Sequence, residues 1–204
     1  MNNSIIAPAT EKSGISVTHL CKSFGEKQVI KDLSFFIEYG STALIRGDSG
    51  SGKTTLLRLL AGIIKPDSGD ISGIDRKRLS LLFQEDRLLP WFTALQNVEA
   101  VIRDKEKKPL AEELLSELGL GDKKDMLALP SELSGGMNRR VAIARALAYD
   151  SDILILDEAL RGLDEANTEK TVSVIKKYSE GKTLISVTHS PSALEENAQL
   201  TLYL

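Results

Sequence analysis

One short stretch, from Gly47 to Thr55, constrains the fold more than any other part of this sequence. It reads Gly-Asp-Ser-Gly-Ser-Gly-Lys-Thr-Thr, with an apolar run over Thr42–Ile45 before it and a leucine-rich segment over Leu56–Leu60 after it. This order predicts a strand, a glycine turn and a helix that begins near Lys53. We therefore expect an α/β fold with this turn at its centre.

The glycine, lysine and threonine spacing within this stretch matches the phosphate-binding loop pattern. Glycines let backbone N–H groups point inward, and the helix start adds its positive dipole end, so the loop forms an anion cradle. We expect Lys53 to reach the β- and γ-phosphates of a nucleotide, Thr54 to hold Mg²⁺ and Thr55 to bond the α-phosphate. A chance glycine turn is the alternative, and the flanking strand and helix disfavour it. The cradle comprises Gly47, Asp48, Ser49, Gly50, Ser51, Gly52, Lys53, Thr54 and Thr55.

Length and charge narrow the class of protein. The 204 residues suit one domain with an inserted subdomain. A net charge of -3 lacks the basic excess of a nucleic-acid binder, so no nucleic acid is expected as partner. The single cysteine, Cys21, fits a reducing compartment. No apolar run reaches the length of a membrane helix, and residues 1–14 lack a secretory pattern, so we expect a soluble chain with a flexible lead-in.

The first part of the chain carries strand patterns. Alternating residues predict a strand over Ile15–Leu20, a turn at Phe24–Lys27 and a second strand over Leu33–Tyr39. Pro66–Gly69 is interpreted as a turn that closes the helix after the phosphate loop. Leu79–Phe83 is almost wholly apolar, which predicts a strand covered on both faces.

Residues 85–133 change to a helical pattern. Thr93 is a candidate N-cap for a helix over Ala94–Ile102. The charged run Arg103–Lys108 is typical of a solvated connection. Leucines at fourfold spacing then predict one buried helix stripe, which ends at Gly119. These leucines are Leu110, Leu114 and Leu118.

The last part alternates helices with strands, and one strand ends in two acids. Because ligands bind at the carboxyl ends of strands in an open α/β sheet, Asp157 is a candidate Mg²⁺ ligand and Glu158 a candidate to face a water. Two acids that merely terminate a strand are the alternative. Helices are predicted over Gly136–Ala148, Glu165–Ser179 and Ser192–Glu196, and strands over Asp152–Glu158, Thr183–Thr188 and Leu200–Leu204.

A second anion-binding helix start is suggested by Ser134, Gly135 and Gly136, although an ordinary helix cap explains these residues alone. The order of motifs is more specific than any one of them. The motifs follow one another in a fixed order: the phosphate loop, Gln84 after a strand, Ser-Gly-Gly, Asp-Glu and a strand that ends at His189. In this order the chain resembles the ATP-binding-cassette (ABC) ATPases, the nucleotide-binding subunits of ABC transporters.

The resemblance covers the chain from about Ile15 to Leu204 and implies its architecture. It implies a phosphate-loop NTPase sheet core of α/β class, with an antiparallel β part at the N-terminus and an inserted helical subdomain. The whole chain, 1–204, would form a single ABC ATPase domain. Its nucleotide-binding core would comprise 15–84 and 134–204, and the helical subdomain 85–133.

The resemblance also assigns roles to single residues. Phe24 would lie against the adenine ring, with a core or turn aromatic as the alternative. Gln84 would link Mg²⁺ and the attacking water to the membrane subunits, with an ordinary surface loop residue as the alternative. Glu158 would polarise that water, and His189 would contact the γ-phosphate. Asp164 would lie at the dimer contact, or would simply cap the following helix.

The family implies a head-to-tail dimer of two copies of the chain. ATP with Mg²⁺ would lie between the Lys53 loop of one copy and the Ser134 helix of the other. ATP binding would close this dimer and hydrolysis would open it, and separate transmembrane permease subunits would receive that motion. The chain would therefore be a peripheral subunit on the cytoplasmic face of the membrane. Met137, Ala159 and Arg161 stand where the family usually has Gln, Pro and a small residue, and we expect an unusual rate or dimer affinity from these departures.

The segment Phe83–Trp91 resembles the nitrate, sulfonate and taurine branch of importer ATPases, which implies import of a small anion. Trp91 and Phe92 either face the partner or are buried in the helical subdomain. A soluble ABC ATPase of DNA repair, translation or cluster assembly is the alternative function, but the chain has no long coiled-coil insertion, second cassette or basic excess. A small-molecule kinase leaves Ser134 and His189 unexplained.

Overall fold

The computed structural model describes residues 13–188 and 198–204. The lead-in as far as residue 12, His189 and the predicted helix Ser192–Glu196 lie outside the described residues. The strands are β1 (Gly14–Phe24), β2 (Lys27–Glu38), β3 (Thr42–Arg46), β4 (Ser68–Ser72), β5 (Leu79–Leu82), β6 (Ile153–Asp157), β7 (Thr183–Val187) and β8 (Leu200–Tyr203). The helices are α1 (Lys53–Leu60), α2 (Ala94–Glu99), α3 (Pro109–Glu117), α4 (Lys123–Leu127), α5 (Gly135–Ala148) and α6 (Glu165–Tyr178).

A small antiparallel sheet of order β2-β1-β4 covers one side of the molecule. Strands β1 and β2 are longer than the sequence pattern predicts, because register shifts interrupt their alternation. His19 and Asp32 adopt left-handed φ values of 48° and 45° at these irregularities. An alternating pattern cannot be followed through such a bulge, so the strand ends were not readable from the sequence.

The prediction that Pro66–Gly69 closes the helix after the phosphate loop is wrong. Helix α1 ends at Leu60, and Ser68 and Gly69 already belong to β4. A Cβ on Gly69 would fall 2.4 Å from the carbonyl oxygen of His19. The glycine therefore serves the close approach of two strands, whereas the sequence pattern had indicated a tight reversal.

The central sheet is parallel, with strand order β5-β6-β7-β3-β8. Strand β6 is buried along its whole length: Leu154 and Leu156 face a core shared with the helical subdomain, while Ile153 and Ile155 face a core shared with α1 and the small sheet. Edge strand β5 differs from the prediction of a strand covered on both faces. Its residues Leu79 and Leu81 are only half-buried, at the margin of the second core.

The helical subdomain matches its predicted pattern closely. Thr93 caps α2 in a reciprocal capping box with Gln96, although α2 stops at Glu99 rather than Ile102. Leu114 and Leu118 are fully buried and Leu110 packs against them, as the leucine stripe predicts. The charged run over Arg103–Lys108 is exposed. Among the described residues, no helix is both long and apolar enough to cross a bilayer.

Candidate functional site

The loop between β3 and α1 requires glycine at several positions. Gly47, Gly50 and Gly52 have φ values of 147°, 82° and 109°. A Cβ at Gly47 would fall 2.4 Å from the carbonyl oxygen of Leu204, and one at Gly52 would fall 2.8 Å from Val29 Cγ1. A side chain at either place would therefore force the loop open.

Lys53 lies at the centre of this loop and is only 7% exposed. Its Nζ donates hydrogen bonds to the carbonyl oxygens of Gly47 and Asp48, both at 2.8 Å. Gly52, the N-cap of α1, supplies no side-chain cap, so the first N–H groups of that helix point into the loop. The ammonium group and the helix start together form a fixed positive site for an anion.

Thr54 and Asp157 meet beside the loop. Thr54 Oγ1 donates to Asp157 Oδ2 at 3.1 Å, while the buried Oδ1 of Asp157 has no hydrogen-bond partner among the residues described. Burial raises the pKa of Asp157, and the hydrogen bond from Thr54 opposes this rise. Hydroxyl and carboxylate oxygens are the ligands that Mg²⁺ prefers, so the unpartnered oxygen fits a bound Mg²⁺.

Four predicted parts of the site line one cleft with a volume of 270 Å³. They are the side chain of Phe24, the phosphate loop with Lys53 and Thr54, Gln84 and Glu158. Phe24 is 52% exposed, which excludes the alternative of a core aromatic. Gln84 is also exposed. The cleft is therefore open to solvent and offers an aromatic ring, a cation and a carboxylate to one ligand.

Glu158 has an unusual backbone conformation. Its φ is 50°, a left-handed value that non-glycine residues seldom adopt and that costs free energy. Its N–H donates to the carbonyl oxygen of Val187 at 3.0 Å, which joins the end of β6 to the end of β7. Its side chain is 18% exposed and forms an ion pair with Arg161 at 3.5 Å. Glu158 lines the same cleft as the phosphate loop.

Arg139 is a residue that the sequence analysis missed. It is 3% exposed, and its guanidinium lies between the segment after β5 and the segment after β6. A buried arginine in α5 is visible in the sequence only as a charge on the apolar stripe that includes Ile143 and Ala146. Such a break usually indicates an exposed residue, so its partners could not be identified without the fold.

The second helix start lies apart from this cleft. Ser134 caps α5, accepting a hydrogen bond from the N–H of Met137 at 3.2 Å. A Cβ on Gly135 would meet nothing within 4 Å among the described residues, and one on Gly136 would lie 3.6 Å from the carbonyl oxygen of Gly162. Neither Ser134 nor the two glycines line the cleft. The single chain thus presents the two proposed anion sites separately.

Asp164 acts as a helix cap within the chain. Its carboxylate accepts hydrogen bonds from the backbone N–H of Asn167 at 2.9 Å and from that residue's side chain at 2.7 Å. The backbone hydrogen bond from Asn167 is the main reason that the pKa of Asp164 is lowered. The capping alternative is therefore confirmed for the single chain, and a dimer contact at this residue stays a prediction.

The segment that follows Gln84 presents an aromatic residue to solvent. Trp91 is 69% exposed, whereas Phe92 is half-buried. Fully buried Asn97 holds the segment from below, since its amide accepts from the N–H of Leu89 at 2.8 Å and donates to the carbonyl of Phe92 at 3.0 Å. The alternative in which both aromatic residues are buried is therefore wrong for Trp91.

The chain matches known proteins both in sequence and in structure. The family model described as "ABC transporter" matches residues 30–161. An aliphatic sulfonates import ATP-binding protein, SsuB, from Delftia acidovorans is 38% identical over 93% of this chain and 76% of its own length. A lipoprotein-releasing system ATP-binding protein, LolD, from Leptospira interrogans is 39% identical over 88% of this chain and 84% of its own. These relatives act on different cargo.

Among solved structures, the chain is similar to the dimeric, post-hydrolysis state of the ATP-binding cassette MJ0796 bound to ADP and Pi. The TM-score is 0.81 and the sequence identity 30%, and the match covers 93% of this chain and 94% of the other. The fold of this chain is thus similar to that of an ATP-binding cassette whose structure holds ADP and Pi.

Proposed function

This chain belongs to the ABC transporter family as an ATPase, and we propose that it powers import of a small anion through separate membrane subunits. The observation that carries the proposal is the cleft that brings the phosphate loop, Gln84 and Glu158 together. Residues that are far apart in the sequence line this cleft together, and it is large enough for a ligand. A phosphate loop alone would be compatible with many nucleotide enzymes.

Within the cleft each side chain has a distinct task. Lys53 and the start of α1 bind the phosphates, Phe24 stacks on the base and Glu158 polarises the attacking water. Thr54, Asp157 and Gln84 would hold Mg²⁺, which supplies charge neutralisation at the phosphates. His189, which lies outside the described residues, would contact the γ-phosphate after the end of β7.

A second copy of the chain would complete the site. The Ser134 helix is capped, and no described residue lies within 4 Å of a Cβ placed on its Gly135. This helix start does not line the cleft of its own chain. An anion held by the Lys53 loop of one copy would meet the Ser134 helix of the other, in a head-to-tail dimer with Asp164 near the contact. The dimeric cassette MJ0796 supports this arrangement.

The membrane partner and the solute are the finer parts of the proposal. Exposed Trp91, in the segment that resembles sulfonate, nitrate and taurine importers, offers a surface for permease subunits. The Delftia relative is named for sulfonate import, which supports a small anion as solute. The chain would then lie on the cytoplasmic face of the membrane, bound through these subunits.

Replacement of the proposed base tests the hydrolytic mechanism. Glu158→Gln should bind MgATP as the unaltered chain does, lose hydrolysis and accumulate as an ATP-bound dimer, because the amide cannot polarise the water. Glu169→Gln is a matched control, since it removes the same charge from an exposed position on α6. Phosphate release and size-exclusion chromatography report the two properties. Normal turnover of Glu158→Gln would contradict the mechanism.

Co-purification tests the transporter assignment separately. The chain, isolated with its native membranes, should be recovered with a membrane protein of several spans, and mass spectrometry would identify it. Removal of the exposed ring by Trp91→Ala should weaken this association without changing ATP binding, because Trp91 does not line the cleft. Repeated recovery with ribosomes or chromatin would favour a soluble ABC ATPase instead.

A further inference from the structure

Arg139 connects the two segments that carry the proposed catalytic side chains. We propose that Arg139 is a positioning residue, whose guanidinium fixes Glu158 and the Gln84 segment in one geometry. The inference rests on the proposed function and adds a residue of α5 to it. Arg139 does not line the cleft, and it acts through the backbone of residues that do.

On one side, Arg139 binds three consecutive carbonyl groups. Its Nη2 donates to the carbonyl oxygens of Asp157 at 2.9 Å and Glu158 at 2.8 Å, and its Nε donates to that of Ala159 at 2.9 Å. These bonds hold the peptide groups before and after Glu158. They therefore stabilise the left-handed φ of 50° that directs the Glu158 carboxylate.

On the other side, Arg139 binds the segment that leaves β5. Its Nη1 donates to the carbonyl oxygens of Phe83 at 2.8 Å and Gln84 at 3.2 Å, and to Asp86 Oδ1 at 3.0 Å. The position of Gln84 relative to Glu158 is thus set by one planar group with a fixed angle between its donors. A displacement of the Gln84 segment would move the peptide that carries Glu158.

Burial makes this connection specific to arginine. A guanidinium that is 3% exposed is stable only when its donors are bonded, and its removal takes a donor away from the buried contacts with the carbonyl groups of Asp157 and Ala159. Lysine carries a compact charge that can reach some of these carbonyls but cannot reproduce the planar fork. Glutamine is too short and offers only its amide donors. Arg139→Lys and Arg139→Gln should therefore loosen the positions of Glu158 and the Gln84 segment to different degrees.

Arg145 provides a matched control on the same helix. Its guanidinium donates to the carbonyl oxygens of Asp86 at 2.7 Å and Arg87 at 2.9 Å, so it holds the Gln84 segment only. In the described structure, the guanidinium of Arg145 donates no hydrogen bond to Asp157, Glu158 or Ala159. Arg145→Gln is therefore the same substitution as Arg139→Gln, but it leaves the hydrogen bonds from Arg139 to the backbone of Asp157 and Glu158 in place.

The experiment compares Arg139→Gln, Arg139→Lys and Arg145→Gln in the full-length chain. ATP affinity is measured by titration calorimetry, and kcat and KM by phosphate release. Because a misplacement of about 1 Å can cost on the order of a hundredfold in rate, we expect Arg139→Gln to lower kcat by about a hundredfold while the Kd for MgATP stays within about threefold. Arg139→Lys should lie between Arg139→Gln and the unaltered chain, and Arg145→Gln should lose far less kcat.

A thermal melt is recorded for each variant. If Arg139→Gln does not fold, Arg139→Lys carries the test, with a loss of kcat at unchanged ATP affinity as the expected result. Unchanged kcat in a folded Arg139 variant, or a loss matched by Arg145→Gln, would overturn the inference. Absence of ATP hydrolysis by the unaltered chain would contradict the proposed function itself.

Discussion

Thr54 Oγ1 donates a hydrogen bond to Asp157 Oδ2 at 3.1 Å, which joins the start of α1 to the end of β6. The two residues are 103 positions apart in the chain. The other carboxylate oxygen of Asp157 is buried without a hydrogen-bond partner in the described part of the chain. The pair therefore has one oxygen that is desolvated and available to a cation.

The first prediction concerns this cation. Asp157→Asn and Thr54→Val should each weaken Mg²⁺-dependent ATP binding by about tenfold or more, because each removes an oxygen ligand or its orientation. Calorimetric titration with ATP in the presence of Mg²⁺ and then of a chelator measures the effect. Binding of ATP without metal should change much less in these variants. Equal Mg²⁺ dependence in Asp157→Asn and the unaltered chain would contradict the assignment.

The second prediction uses the open space at Gly135. Gly135→Asp should leave the melting temperature and ATP binding of the single chain nearly unchanged, because a Cβ there meets nothing within 4 Å in the described structure. A carboxylate at a helix start is itself favourable. In the Glu158→Gln background, Gly135→Asp should abolish the ATP-dependent dimer, because the new carboxylate would repel the ATP phosphates bound by the other copy.

Size-exclusion chromatography with light scattering measures the dimer. Lys107→Asp is the control, because it adds a carboxylate to the exposed connection over residues 103–108. A normal ATP-dependent dimer in the Gly135→Asp variant would show that the Ser134 helix does not complete the site.

The third prediction concerns acid stability at the contact between α3 and α6. The hydrogen bond from Lys177, at 2.6 Å, is the main cause of the lowered pKa of Glu117, with Tyr178 contributing at 3.2 Å and Glu113 nearby. A carboxyl group with a lowered pKa in the folded state stabilises the protein above its ordinary pKa, and this contribution is lost as pH falls through the folded value.

Because Lys177 is exposed and Glu117 is only partly buried, solvent screening keeps the contribution of this pair to the free energy of unfolding small. Protonation of Glu117 removes this contribution, and Glu117→Gln has no carboxyl group to protonate. The melting temperature of the unaltered chain should therefore fall more steeply below about pH 4.5 than that of Glu117→Gln. Glu112→Gln, which changes an exposed residue of α3, should keep the steep acid limb. Parallel acid limbs for the unaltered chain and Glu117→Gln would contradict this contribution.

Local chemistry made parts of the fold and of the candidate site predictable. The phosphate loop, the cap at Thr93 and the two acids at the end of β6 each depend on neighbouring residues whose spacing is visible in the sequence. The ends of β1 and β4 could not be predicted in this way, because bulges interrupt the pairing of the two strands. Gly69 allows these strands to approach closely and does not form a turn.

The sequence by itself determined the α/β class, the phosphate loop and the order of motifs, because short-range patterns and turn chemistry act between residues that are close in the chain. Only the tertiary structure decided that Arg139 holds Glu158 and the Gln84 segment together, and that Trp91 is exposed. The physical reason is that a buried hydrogen-bond network depends on which distant carbonyl groups the fold brings near one guanidinium.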